Sequence, residues 1–81
     1  MKTRLLIDST VLEFMGGLRK RDRDFLLLRF QAIRDFPDRH ADYRTNDESG
    51  RELDGHIASR FAIAFWNDSV GRHVKDLLGV V

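Results

Sequence analysis

The chain has 81 residues, 14 Lys and Arg against 13 Asp and Glu, and no cysteine. That length holds one domain, residues 1–81, and the missing thiols exclude disulfide staples and cysteine-ligated zinc. A formal charge of +1 gives no general affinity for polyanions, so any nucleic-acid case rests on where the charges sit.

Apolar residues make up 42% of the chain, which is enough for a core and excludes wholesale disorder. A chain this short buries only about 60–65% of its unfolded surface, so its stability margin is thin and a partner is a natural expectation. The apolar runs Phe25–Leu28 and Phe61–Trp66 fall far short of the ~20 residues that span a bilayer. The apolar stretch within residues 1–7 is too short for a signal peptide. The expectation is a soluble cytoplasmic protein with no membrane partner.

In chain order, Lys2–Ile7 reads as a strand that stops at Asp8-Ser9-Thr10. Thr10-Val11-Leu12-Glu13 has the form of a capping box. Val11, Phe14, Met15 and Leu18 then fall on one helical face, and Gly16-Gly17 keeps that helix short. Arg19–Asp24 is a charge run whose Asp22 and Asp24 suit the first turn of a second helix. That helix continues from Phe25 to Phe36, with Phe25, Leu26, Leu28, Phe30, Ala32, Ile33 and Phe36 covering a wide apolar arc. Arg29 projects near the middle of the arc, where its stem is expected to pack and its head to reach an acid or solvent. Pro37 ends the helix.

Beyond Pro37 the period changes from 3.6 to 2. Asp47-Glu48-Ser49-Gly50 is a turn signal. Arg51–Ala58 is a weak strand. Phe61, Ile63 and Phe65 alternate with Ala62, Ala64 and Trp66 in the clearest strand of the chain. After a loop at Asn67–Gly71, Arg72–Val80 forms the last strand. Short turns make these later strands antiparallel. The expected fold is two-layer α+β: an N-terminal strand and a two-helix hairpin packed on a twisted antiparallel sheet of about four strands.

The residues offer little conventional catalytic chemistry. Gly16-Gly17 lacks the context of a phosphate loop. His40, His56 and His73 lie on three different elements, so no metal or other cofactor is expected. Ser9, Ser49, Ser59 and Ser69 sit where turn or cap chemistry accounts for them. The basic residues are placed more suggestively. Arg19, Lys20, Arg21 and Arg23 gather at the helix–helix junction, and Arg44, Arg51, Arg60, Arg72 and Lys75 lie on or beside strands. A sheet face carrying Arg and His is suited to RNA phosphates, although any exposed sheet face must be polar. Trp66 suits base stacking, or a place in the core or an interface.

Two stretches carry a resemblance. One is Gly50-Arg51-Glu52-Leu53 through Ser59-Arg60-Phe61-Ala62-Ile63-Ala64-Phe65-Trp66 to Arg72-His73-Val74-Lys75. The other is Leu18–Asp24 with its amphipathic helix and Phe36-Pro37. Together they resemble the RelE/ParE superfamily of toxins from type II toxin-antitoxin modules, over nearly the whole chain. The resemblance implies a toxin held inactive by a cognate antitoxin protein. RelE-type members act at the ribosome as mRNA endonucleases; ParE-type members inhibit DNA gyrase without being nucleases.

Carried over by position, the resemblance assigns His56 as general acid or base and Arg60 as the group that neutralises the scissile phosphate, over the exposed face of the sheet. Arg44 and Arg51 would hold flanking phosphates, and Lys20 and Arg23 would dock the ribosome. The sequence departs from the pattern at Ala62, where an Arg is usual. It departs again in Leu77-Leu78-Gly79-Val80-Val81, which holds no Arg, Tyr or His. The resemblance therefore carries two readings: a metal-free endoribonuclease acting on translation, and a gyrase inhibitor or interaction domain without catalysis. The apolar Phe61–Trp66 strand and the last strand are expected to meet an antitoxin segment or a second copy of the chain.

Overall fold

The computed structural model describes residues 3–79; Lys2 and Val80, the expected outer ends of the first and last strands, lie outside the described residues. In chain order the elements are β1 (Arg4–Ile7), α1 (Ser9–Gly16), α2 (Lys20–Asp35), a 3₁₀ turn (Pro37–His40), β2 (Tyr43–Asn46), β3 (Glu52–Ala58), β4 (Phe61–Asn67) and β5 (Gly71–Gly79). The strands form one sheet in the order β1-β5-β4-β3-β2. Strands β2 to β5 are antiparallel neighbours, whereas β1 pairs with β5 in parallel.

The fold is α+β with two helices, as expected, but the sheet has five strands and is mixed rather than four and antiparallel. The additional strand is β2, whose Tyr43-Arg44-Thr45-Asn46 is exposed throughout. An edge strand with both faces wet has no apolar alternation to betray it. The first helix also begins earlier than the capping-box reading. Asp8 is its cap, and its Oδ1 accepts from the Thr10 amide at 3.0 Å and the Thr10 hydroxyl at 2.9 Å. Thr10 thus lies inside the first turn.

One core holds the layers together. Val11 and Met15 of α1 and Leu26, Phe30 and Ile33 of α2 pack on Ala58, Phe61, Ile63, Phe65, Val74 and Leu77 of the sheet. Each large side chain fully buried here contributes roughly 1.5–3 kcal/mol of apolar transfer. Leu28 and Phe36, placed on the apolar arc by spacing, are exposed. The arc that touches the sheet is therefore narrower than the sequence suggests.

The β4–β5 register slips between Ala64 and Phe65, where Ala64 faces Asp76 and Phe65 faces Val74. Lys75 is the extra, bulged residue. Without the bulge, Val74 and Leu77, three apart, would point to opposite faces; with it, both reach the core. The opposite face of the sheet carries no helix. Leu6, Leu53, Gly55, Ala62, Ala64, Trp66 and His73 lie on it by register.

Candidate functional site

The uncovered sheet face brings together residues from three strands and from the turn before β3. Trp66 of β4 is opposite His73 of β5, and their rings stack at 3.8 Å with planes 5° apart. From the β3 side, the Arg51 guanidinium lies over the indole at 4.0 Å. Leu6 of β1 pairs with His73 at the other end. The result is a row running Leu6, His73, Trp66, Arg51 across the sheet. Strand spacing of about 4.8 Å makes such cross-strand stacking natural.

A cavity of about 460 Å³ opens on this row and is also lined by Lys75, Asp8, Asp47 and Ser49. Lys75 reaches it because of the bulge, with Nζ 3.5 Å from Asp8 Oδ2. The carboxylates are already engaged by the protein. Asp8 caps α1. Asp47 Oδ1 accepts from the Ser49 amide, the Ser49 hydroxyl and the Arg51 amide, closing the turn before β3. The Ser49 hydroxyl, ahead of the backbone amides, holds the Asp47 carboxyl below its ordinary value. Asp68 accepts from the Val70 and Gly71 amides and lies 3.1 Å from His73 Nε2, off the direction of a hydrogen bond. Arg51 makes no ion pair among the described residues. Arg51, Lys75 with its Asp8 partner, and an imidazole thus line a cavity in which Asp47 points to a hydroxyl and backbone amides. An anion with a flat aromatic part fits this chemistry.

The residues expected to form a catalytic group are not together. His56 lies on the helix side of the sheet and is 5% exposed, not on the open face. The cause is strand alternation: Ala58 and His56 share the face of Ile63 and Phe61, which pack on the helices. Its ring is held at both ends. Nδ1 donates to Asp42 Oδ2 at 2.8 Å, and Arg29 Nη2 donates to Nε2 at 2.9 Å. A guanidinium can only donate, so Nε2 must accept and the proton sits on Nδ1. Burial, with the Arg29 and His40 charges behind it, holds the imidazole below its ordinary value, against the opposing pull of Asp42.

Arg60 stands in the two-residue β3–β4 turn beside Ser59 (φ 56°) and pairs with Asp22 at 2.6 Å. It does not meet His56. Arg44 lies on the helix side of β2, paired with Glu52 at 2.8 Å and Asp54 at 3.0 Å. Lys20 pairs with Asp24 at 2.6 Å, and Arg23 donates to the Leu18 carbonyl at 2.6 Å, closing the helix–helix junction. Of the expected residues, Arg51 alone is on the open face. His73 and Lys75 join it there, and spacing could not single them out because the bulge sets their positions. Trp66 is in the site, but its two flanks are occupied by His73 and Arg51. A base would therefore stack on the outer face of Arg51 rather than on the indole. Arg29, expected to reach an acid or solvent, reaches an imidazole instead.

Among the described residues no group of His, Cys, Asp and Glu has the arrangement of a metal site, and no helix is long and apolar enough to cross a membrane. Comparison with family models, with curated proteins and with solved structures yields no match to this chain.

Proposed function

We propose that this chain is a toxin of the RelE/ParE type that acts on translation by binding mRNA across the open face of its sheet. The observation that carries the reading is the Arg51–Trp66–His73 row beside Lys75. The outer face of the Arg51 guanidinium suits an unstacked base, and the cations suit the phosphates beside it. His73 is the imidazole on that face; its Nε2 is buried, so Nδ1 is the atom that would exchange protons with a bound strand if the RNA is cut at the ribosome.

A second reading is a non-catalytic toxin or interaction domain, including a gyrase inhibitor. The placement of His56 favours it. With Nε2 occupied by Arg29 and Nδ1 by Asp42, that imidazole has no free nitrogen for a substrate.

Both readings predict a cognate antitoxin. Ile57, Tyr43 and Leu78 expose apolar surface around the same sheet face, and an antitoxin segment laid there would cover it and block the Arg51 end. Inducing the chain alone and following amino-acid incorporation, plasmid supercoiling and mRNA 5′ ends separates the readings. The proposal expects incorporation to stop first, and His73→Ala, not His56→Ala, to abolish any new 5′ ends. Supercoiling failing first would replace it with the gyrase reading; unimpaired growth would remove the toxin assignment.

A further inference from the structure

The Asp42–His56–Arg29 chain links the segment before β2, β3 and α2 by side-chain hydrogen bonds. Asp42 precedes β2, and its amide donates to the Gly55 carbonyl at 2.7 Å. Its Oδ2 also accepts from the Ile57 amide at 2.9 Å, beside the bond from His56. The start of β2 is therefore fastened to β3 by backbone and carboxylate together. The polar link from β3 to the middle of α2 is different: among the described residues it is the single bond from Arg29 Nη2 to His56 Nε2, beside the apolar packing of Ala58, and Arg29 Nε is buried without a partner.

We propose that Asp42–His56–Arg29 is an acid-sensitive latch, in which protonation of His56 ejects Arg29 and loosens α2 from β3 while β2 stays fastened. An imidazolium has two donors and no acceptor, so the Arg29 bond cannot survive. Two cations would then stand at 2.9 Å, with only the Asp42 carboxylate to offset them. The Asp42 bond becomes an ion pair and tightens.

The charged groups facing the ring come from every packed element. Arg29 comes from α2 and Asp42 from the segment before β2. His40 comes from the 3₁₀ turn, its ring edge-on at 4.9 Å and its own Nδ1 donating to the Phe36 carbonyl. Asp54, two residues along the same face of β3, is paired with Arg44 of β2. The β4 neighbour, Ile63, is uncharged. A charged His40 would add to the repulsion and does not supply an acceptor. The direction of the His56 shift gives the sign. The unfolded imidazole binds a proton more readily than the folded one, so the latch is closed above the ordinary value of 6.5 and opens as pH falls through the folded value, which lies below it.

The test is nitrogen NMR of the histidine rings together with backbone amide exchange at pH 7 and below the His56 midpoint that the ring nitrogens report, on the native chain, Arg29→Met and His40→Gln. In the native chain His56 is expected as the Nδ1–H tautomer at pH 7. Below the His56 midpoint the α2 amides around Phe30 should exchange at least tenfold faster, after correction for intrinsic chemistry, while those of β3 keep their protection. Arg29→Met should raise the His56 midpoint and abolish the pH dependence of α2, and His40→Gln should keep it. An Nε2–H tautomer at pH 7, α2 protection that ignores pH, or equal loss in α2 and β3 would each overturn the latch. So would loss of the response in His40→Gln. If Arg29→Met does not fold, the native-chain tautomer and exchange pattern decide alone.

Discussion

Gly71→Ala adds one methyl where β1 and β5 run side by side, and it should detach β1. A Cβ at Gly71 would lie 2.9 Å from the Arg4 carbonyl carbon and closer still to its oxygen, against 3.4–4 Å for ordinary contact. The obstacle is backbone, so no side chain can swing away, and β1 must retreat by roughly 1 Å. Four residue pairs, Arg4↔Gly71 through Ile7↔Val74, make up the β1–β5 ladder among the described residues. At about 0.5–1.5 kcal/mol per hydrogen bond, losing most of them costs roughly 2–4 kcal/mol. A chain of this length has a total margin of about 4–12 kcal/mol, so one methyl removes a large part of it. Urea unfolding followed by the fluorescence of Trp66, the single Trp, measures the loss directly, because Trp66 stacks on the His73 that pairs with Leu6 of β1. A loss below about 0.5 kcal/mol, within the range of ordinary surface substitutions, would refute the close parallel pairing.

Gly55→Ala should behave differently: the new Cβ collides with the Tyr43 ring, a side chain free to move. The expected result is a stability loss of about 1 kcal/mol, with the ring-current shifts of the single Tyr reverting to solvent values by NMR. Phe30→Ala empties a fully buried site between α2 and the sheet and should cost about 3–5 kcal/mol in urea unfolding. The depressed Asp47 carboxyl contributes stability that is present above its ordinary value of 3.8 and lost as pH falls through its folded value. Asp47→Asn should accordingly flatten the acid limb of a melting-temperature profile below about pH 4.

Much of the fold was legible because its strongest signals are local. The break at Pro37, the alternation of Phe61, Ile63 and Phe65, and the turn at Asp47–Gly50 each appear in the structure where the residues place them. What escaped is non-local or unpatterned. Nothing in Tyr43–Asn46 says strand until β3 is alongside it. The parallel β1–β5 pairing joins the two ends of the chain, and only the small Gly71 hints at it. The site was less legible than the fold for the same reason. The resemblance put His56 and Arg60 over the exposed face, but which side of β3 faces water depends on where the helices lie, and Arg60 stands in the turn, paired with Asp22. The bulge at Lys75 then shifts His73 and Lys75 relative to the residues after them, and no spacing rule anticipates that.

Titrating the protein with a short single-stranded RNA while following Trp66 fluorescence tests the central claim most directly, because the single Trp is inside the proposed site. The account predicts saturable quenching. Arg51→Ala and Lys75→Ala should each weaken it and lower the slope of log affinity against log salt by about 0.7, the value of one phosphate contact on a single strand. Lys20→Ala, on the far helix end and paired with Asp24, should leave the quenching at this face unchanged. Fluorescence that ignores RNA, or quenching weakened by Lys20→Ala as much as by Arg51→Ala, would contradict a binding site on the open face of the sheet.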